Sequence, residues 1–395
     1  MRSTTFDFTS PAVIADPYPH FAAERELGEV AWHEPSRMFL TFSHAAASAV
    51  LRNRNLGRLW TDREPVAELE PFNMLHRNQM MENEPPVHTR LRRLVTKAFA
   101  RGHVERLRPR VRELAAGLLA EVDRDDFDVI GQYAEPLPVL VIAELLGVPT
   151  SLVPELRDWS QAIVRMYEVD PDQAVVDAAV SAAVDFTAAV REIAKARETD
   201  PQPDLITDLV AARDGAARLS EDEVVASAVL LLNAGHEATV NVFGNGLVAM
   251  LERDIRPTAD QVETCVEEMV RFDASAQLFV RTAITDVEVA GQPIAAGQRI
   301  AALLGAANRD PAVFERPDEF LVDRDDNPHI GFGAGLHFCL GAPLARMELV
   351  ESVGFLFDQM PGLAFTADPV SRGTFVLRGY ESVRVGQGAG EGMRL

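Results

Sequence analysis

Cysteine is nearly absent from this chain: 395 residues carry two, Cys265 and Cys339. That excludes a disulfide framework. Long apolar runs are missing as well. No uninterrupted stretch of about 18 apolar residues occurs, so no membrane span is expected. The start, Met1-Arg2-Ser3-Thr4-Thr5-Phe6-Asp7, lacks the apolar core of a secretion signal, so a cytoplasmic protein is expected. Positive charge is scarce: 38 Lys and Arg stand against 60 Asp and Glu, a formal charge of −22. Such a balance argues against nucleic acid as a partner. Repeats, low-complexity linkers and steps in composition are lacking too. The chain therefore reads as one domain, 1–395, with 386–395 a loose tail.

What is present is ordinary soluble globular material, 47% hydrophobic and 25% charged. Most of it has helical spacing: 17–27, 43–52, 88–100, 104–122, 151–167 and 173–196. Ser220 to Leu251 reads as one long helix, opened by a Ser220/Glu223 capping box. Strand-like alternation is confined to 30–40 and 280–300, with a late hairpin over 374–385. One stretch breaks the acidic trend. Between Arg90 and Arg112, nine basic residues face one acid, Glu105. Either this is a solvated helix face or it is a positive patch that steers anionic groups.

The most informative segment is Phe332-Gly333-Ala334-Gly335-Leu336-His337-Phe338-Cys339-Leu340-Gly341. Its glycines permit positive φ and close approach of the backbone to a partner. The helix expected from Ala342 onward offers unpaired N–H groups and a positive dipole end, which favour a thiolate. A thiolate held this way suits an axial position on haem iron, where it pushes electron density toward O–O cleavage.

Six typed positions at fixed spacing in this segment resemble the haem-thiolate signature of the cytochrome P450 family, in its soluble bacterial form. The order of elements agrees over nearly the full length. The resemblance implies the mainly α P450 fold with a small β region. It implies non-covalent haem b (iron protoporphyrin IX) with Cys339 as the iron ligand, since no Cys-x-x-Cys-His attachment motif exists. Gly335 and Gly341 would shape the loop, Phe332 would pack near the sulfur, and Phe332, Gly333 and Gly341 would border the cofactor. His88, Arg92, Arg281 and His337 match the binders of the haem propionates. Ala234 and Gly235 would let a flat cofactor approach the long helix, and Glu237 would assist proton delivery. Glu268 and Arg271 match the Glu-x-x-Arg pair that supports the cysteine loop. Its usual third partner is missing from Pro317-Asp318-Glu319-Phe320, which leaves Arg324 and Asn308 as candidates.

Two departures stand out. The alcohol that normally follows the acid is replaced by Ala238. Thr239, one residue on, points about 100° away around the helix and does not substitute. A hydroxyl or amide of the substrate, or an ordered water near Glu237, would then complete the proton relay. The second departure is the short segment 252–267, broken by Pro257, where one outer helix is expected to be lost.

Substrate-facing positions follow by resemblance: Phe72, Met80, Met81, Met166, Asn233, Gln277, Leu278, Phe279 and Phe375. They suit a medium-sized, partly polar organic molecule of secondary metabolism. The implied function is a monomeric monooxygenase that uses dioxygen and electrons from a separate ferredoxin and ferredoxin reductase. Oxidative coupling or cyclisation without oxygen insertion, a peroxide-driven variant and a catalytically silent haem- or partner-binding module are the alternatives.

Overall fold

The computed structural model describes residues 1–98, 101–168, 171–214 and 217–388. Most of the expected tail, from 389 onward, lies outside them. The described residues gather into two compact units. One holds 1–57, 111–136 and 238–395; the other holds 58–110 and 137–237.

The first unit contains the main sheet. Its strands run in the order Ser3–Thr4, Val30–His33, Met38–Thr41, Arg299–Leu303, Leu278–Ala283, Leu56–Gly57. Arg299–Leu303 lies parallel to Met38–Thr41 and antiparallel to Leu278–Ala283. Successive side chains of a strand point to opposite faces. Ile300 and Ala302 accordingly enter a cluster with Val50 and Leu51, while Ala301 and Leu303 enter one with Phe6, Phe8, Phe21 and Phe42. Both faces are thus covered, and Ile300 to Leu303 are fully buried. The helix His44–Arg52, on the first of these faces, is capped by Ser43, which accepts from the Ala46 amide.

The hairpin expected over 374–385 is not formed within that segment. Tyr380–Ser382 pairs with Val370–Ser371, and Arg384–Gln387 pairs with Leu363–Phe365 and Phe127–Asp128. Alternation reveals an extended backbone but not its partner. Between Glu252 and Val262 the chain carries no helix, in agreement with the break at Arg256-Pro257.

The second unit is helical. Glu70–Arg77, Val87–Ala98, Val153–Arg165, Gln173–Thr199 and Leu205–Ala211 belong to it. Gln173–Thr199 is long and apolar enough by composition to cross a membrane, with a mean hydropathy of 1.4. Asp177 and Asp185 interrupt its apolar sequence. It buries one face, Ala179, Ala182, Ala183, Phe186, Val190 and Ala194. That face packs on the Val153–Arg165 helix, with Phe186 5.5 Å from Trp159.

The long helix runs from Glu221 to Glu252, 32 residues or about 48 Å. Its capping box forms as read from the sequence: the Glu223 amide donates to Ser220 Oγ (3.2 Å), and the Ser220 amide donates to Glu223 Oε2 (2.9 Å).

Candidate active site

The two cysteines have opposite surroundings. Cys265 is fully buried on the Val262–Phe272 helix, 3.4 Å from Met250 Sδ. Burial, helped by the Glu268 charge, pushes its thiol up to about 12, so it remains protonated and inert. Cys339 is only half-buried. Its loop is shaped by Gly333 (φ +72°) and Gly335 (φ +70°), both in the left-handed region. At Gly335 a Cβ would stand 2.5 Å from the Leu51 carbonyl oxygen, so only glycine lets the loop lie on the His44–Arg52 helix. The Cys339 amide donates to the Phe332 carbonyl (3.0 Å), and the helix Ala342–Gln359 starts immediately after Gly341.

The loop is approached through a buried polar brace. Arg271 donates from Nε and Nη2 to the two oxygens of Glu268, each at 2.7 Å, and neither side chain is exposed. Burial works against ionisation of Glu268. The bonds from Arg271, the Leu321 amide and Arg324 outweigh it and hold the carboxyl below the usual range. Arg324 Nε reaches Glu268 Oε2 at 3.0 Å, with Asn327 beside it at 3.2 Å. Of the two candidates for third partner, Arg324 is therefore the one that meets the carboxylate. Asn308 contributes differently: its carbonyl accepts from Arg271, and its Oδ1 accepts from the Ile330 amide at the start of the loop.

Residues matched to the propionate binders are placed as follows. Arg281 is buried on the Leu278–Ala283 strand, donating to the Val280 carbonyl, and His337 is half-buried in the loop. In the other unit His88 is buried and Arg92 half-buried, one turn apart on Val87–Ala98. The surrounding basic stretch is largely answered by acids. Arg90 pairs with Glu223, Arg108 with Glu105, Arg110 with Glu144 and Arg112 with Glu351. The side chains of Lys97 and Arg101 lie outside the described residues.

Between Val224 and Met250 every residue of the long helix is buried except Ala234, Gly235 and Ala238. Their spacing puts them on one side, as an open notch of small residues. Glu237 and Thr239 are buried, and the Glu237 carboxylate lies 3.8 Å from His236 Nδ1.

The substrate-facing positions divide. Phe375 and Leu278 belong to the aromatic and aliphatic core: Phe375 is 5.0 Å from Phe8 and 5.9 Å from Phe6. Gln277 is buried under Gly305 and donates to the Ala274 carbonyl (2.7 Å). All three side chains are buried, and the Gln277 Oε1 has no hydrogen-bond partner. Phe279 lies against Gly333 of the cysteine loop. In the second unit Phe72 stacks on His76 at 4.0 Å, and Trp60 stacks on the same imidazole at 4.7 Å. His76 Nδ1 donates to the Phe72 carbonyl (2.7 Å), so Nε2 accepts from the Tyr167 hydroxyl (3.0 Å). Arg63 donates to the Met166 carbonyl (2.9 Å). These bonds bring 60–77 onto 166–167. Met80 is buried and Met81 half-buried in the following turn, and Asn233 is buried on the long helix. Arg63, Tyr167, Arg346 and Glu267 carry no signal in the sequence; their roles come from long-range contacts.

Among the described residues, no group of three or more His, Cys, Asp or Glu stands close enough to hold a metal ion. Within the first unit, a half-buried cysteine on a glycine loop and the buried guanidinium of Arg281 are donor types that a carboxylate-bearing porphyrin uses.

The comparisons with known proteins agree. The family model for cytochrome P450 matches residues 260–353. The chain is 34% identical to 6-deoxyerythronolide B hydroxylase of Saccharopolyspora erythraea, over 97% of this chain and 99% of that one. It is 33% identical to vitamin D(3) 25-hydroxylase of Pseudonocardia autotrophica, over 97% and 96%. The crystal structure of P450BioI, in complex with an acyl carrier protein ligated to hexadec-9Z-enoic acid, superposes with a TM-score of 0.91 at 29% identity, covering 95% of this chain and 99% of that one. The chain belongs to the cytochrome P450 family. It is a haem b oxidoreductase of the monooxygenase class.

Proposed function

We propose that this P450 hydroxylates a medium-sized, partly polar product of secondary metabolism in the cytoplasm, drawing its electrons from a separate ferredoxin and ferredoxin reductase. The observation that carries the site is the contrast between Cys339, half-exposed on a positive-φ glycine loop ahead of a helix, and the sealed, protonated Cys265. Cys339 is the thiolate ligand. When bound, the haem supplies dioxygen activation. Arg281, His337, His88 and Arg92 hold its propionates by charge-assisted hydrogen bonds. Ala234 and Gly235 leave room against the long helix for the porphyrin face and for a small gas molecule.

Glu237, whose carboxylate lies 3.8 Å from His236 Nδ1, is the acid that assists proton delivery. Ala238 cannot donate, and Thr239 is buried. A polar group of the substrate or a water must therefore order the last hydrogen bond. Met80, Met81, Met166, Asn233 and Phe279 are the side chains best placed to meet a substrate. The missing alcohol also supports a second reading, oxidative coupling or ring closure without oxygen insertion.

Two measurements test this. The carbon-monoxide spectrum of the reduced protein should be of the thiolate type and should lose that form in Cys339→Ser. Compounds that displace the distal water should then be found by their spectral shift. Product mass separates a gain of oxygen from a loss of hydrogen.

A further inference from the structure

Beside the cysteine loop stands a second charged cluster that the loop motif does not include. Arg346, near the start of the Ala342–Gln359 helix, lays its guanidinium over the Phe332 ring, 4.4 Å from the centroid. Glu267 clamps it there in bidentate fashion, accepting from Nε at 2.5 Å and from Nη2 at 2.8 Å. His329 supports the clamp. Its Nδ1 accepts from the Gly331 amide (3.2 Å), so its Nε2 carries the proton and donates to Glu267 Oε2 (2.9 Å). Phe332 is bound in turn to Cys339, whose amide donates to the Phe332 carbonyl. The bonds to Glu267, outweighing partial burial and joined by the charges of Glu267 and Cys339, raise the guanidinium's hold on its proton.

A positive charge near a ligating sulfur withdraws electron density from it and favours the state with one more electron; a negative charge does the opposite. Groups outside the ligand shell tune a metal in this way. We propose that Arg346 is a positioning residue for the Cys339–iron bond, holding a positive charge beside the sulfur against Phe332, and that Glu267 sets how much of that charge the sulfur feels. This rests on the reading of Cys339 as the axial ligand.

A mere brace behaves differently from a charge. If the pair only stiffened the loop, losing either partner would move the iron in the same direction. Charge predicts opposite directions. The test is the ferric–ferrous equilibrium of the holoenzymes against redox dyes, at low salt and about pH 8, where an ordinary imidazole is neutral. Arg346→Gln should disfavour reduction by up to about tenfold, roughly 59 mV for a one-electron couple. Glu267→Gln, which keeps the shape of the clamp, should favour it by a similar factor. The double variant should return near the parent, and Arg346→Lys should recover most of the loss. Glu267 and Arg346 are 30% and 37% exposed, so salt should shrink both shifts. Shifts of the same sign, or none above about twofold in either single variant, overturn the proposal. The carbon-monoxide spectrum of the parent keeps the two failures apart. A thiolate spectrum with the wrong sign pattern overturns the role of Arg346 alone; an imidazole-type spectrum overturns the assignment of Cys339.

Discussion

Arg271 and Glu268 form a bidentate ion pair with both side chains wholly removed from solvent, 2.7 Å at each contact. A buried pair of this kind gains little over an apolar pair of equal volume, but breaking it leaves an uncompensated charge, at a cost of about 3–5 kcal/mol. Here that charge would sit among the Pro317 and Glu319 carbonyls and Arg324, directly before the cysteine loop.

Glu268→Gln and Arg271→Met should therefore lower the melting temperature sharply and reduce haem retention, read as the ratio of Soret to protein absorbance. Arg324→Met should do the same more weakly, because Asn327 also reaches Glu268. Unchanged haem retention in Arg271→Met would show that the brace does not support the loop.

The left-handed glycines separate backbone strain from crowding. Gly291 (φ +76°) has nothing near its missing Cβ, whereas Gly335 (φ +70°) meets the Leu51 carbonyl. Gly291→Ala should cost about 1–2 kcal/mol, the ordinary penalty for an L-residue in this conformation. Gly335→Ala should cost clearly more and should disturb the Soret band. Equal unfolding free energies for the two variants would contradict the close approach seen at Gly335.

Burial pushes the His76 imidazole down to about 4, despite the opposing bond to the Phe72 carbonyl. Protonation would also place a hydrogen on Nε2, where Tyr167 now donates. A group with a depressed folded pKa binds more protons when unfolded. Its contribution to stability is thus complete above about 6.5 and declines as pH falls toward 4. Melting temperature should fall across this window, and His76→Phe should flatten that part of the profile. A parallel decline in the variant would assign the acid sensitivity elsewhere.

Restoring an alcohol with Ala238→Thr should change product formed per NAD(P)H several-fold, with hydrogen peroxide moving in the opposite sense. Thr239→Val should change both less, since Thr239 is buried and lies about 100° around the helix from position 238. If neither quantity responds to Ala238→Thr with the native substrate, the proton relay does not pass this position.

Sequence alone determined what is local. The Ser220/Glu223 cap, the Ser43 cap, the long helix and the glycine loop ahead of Cys339 are set by residues a few positions apart, so their physics is contained in short segments. The resemblance of that loop to a family motif carried the haem and the reaction class with it. Tertiary structure decided whatever depends on distant partners. It chose Arg324 over Asn308 as the third contact to Glu268, and it put Phe375 in a core with Phe6 and Phe8. It paired Tyr380–Ser382 with Val370–Ser371, and it divided the chain into two units that each draw on separated stretches. It also brought Glu267, His329, Phe332 and Arg346 around one sulfur-bearing loop. The reason is physical: hydrogen bonds, ion pairs and ring contacts are short-ranged in space but indifferent to separation along the chain, so only folding reveals which side chains will share them.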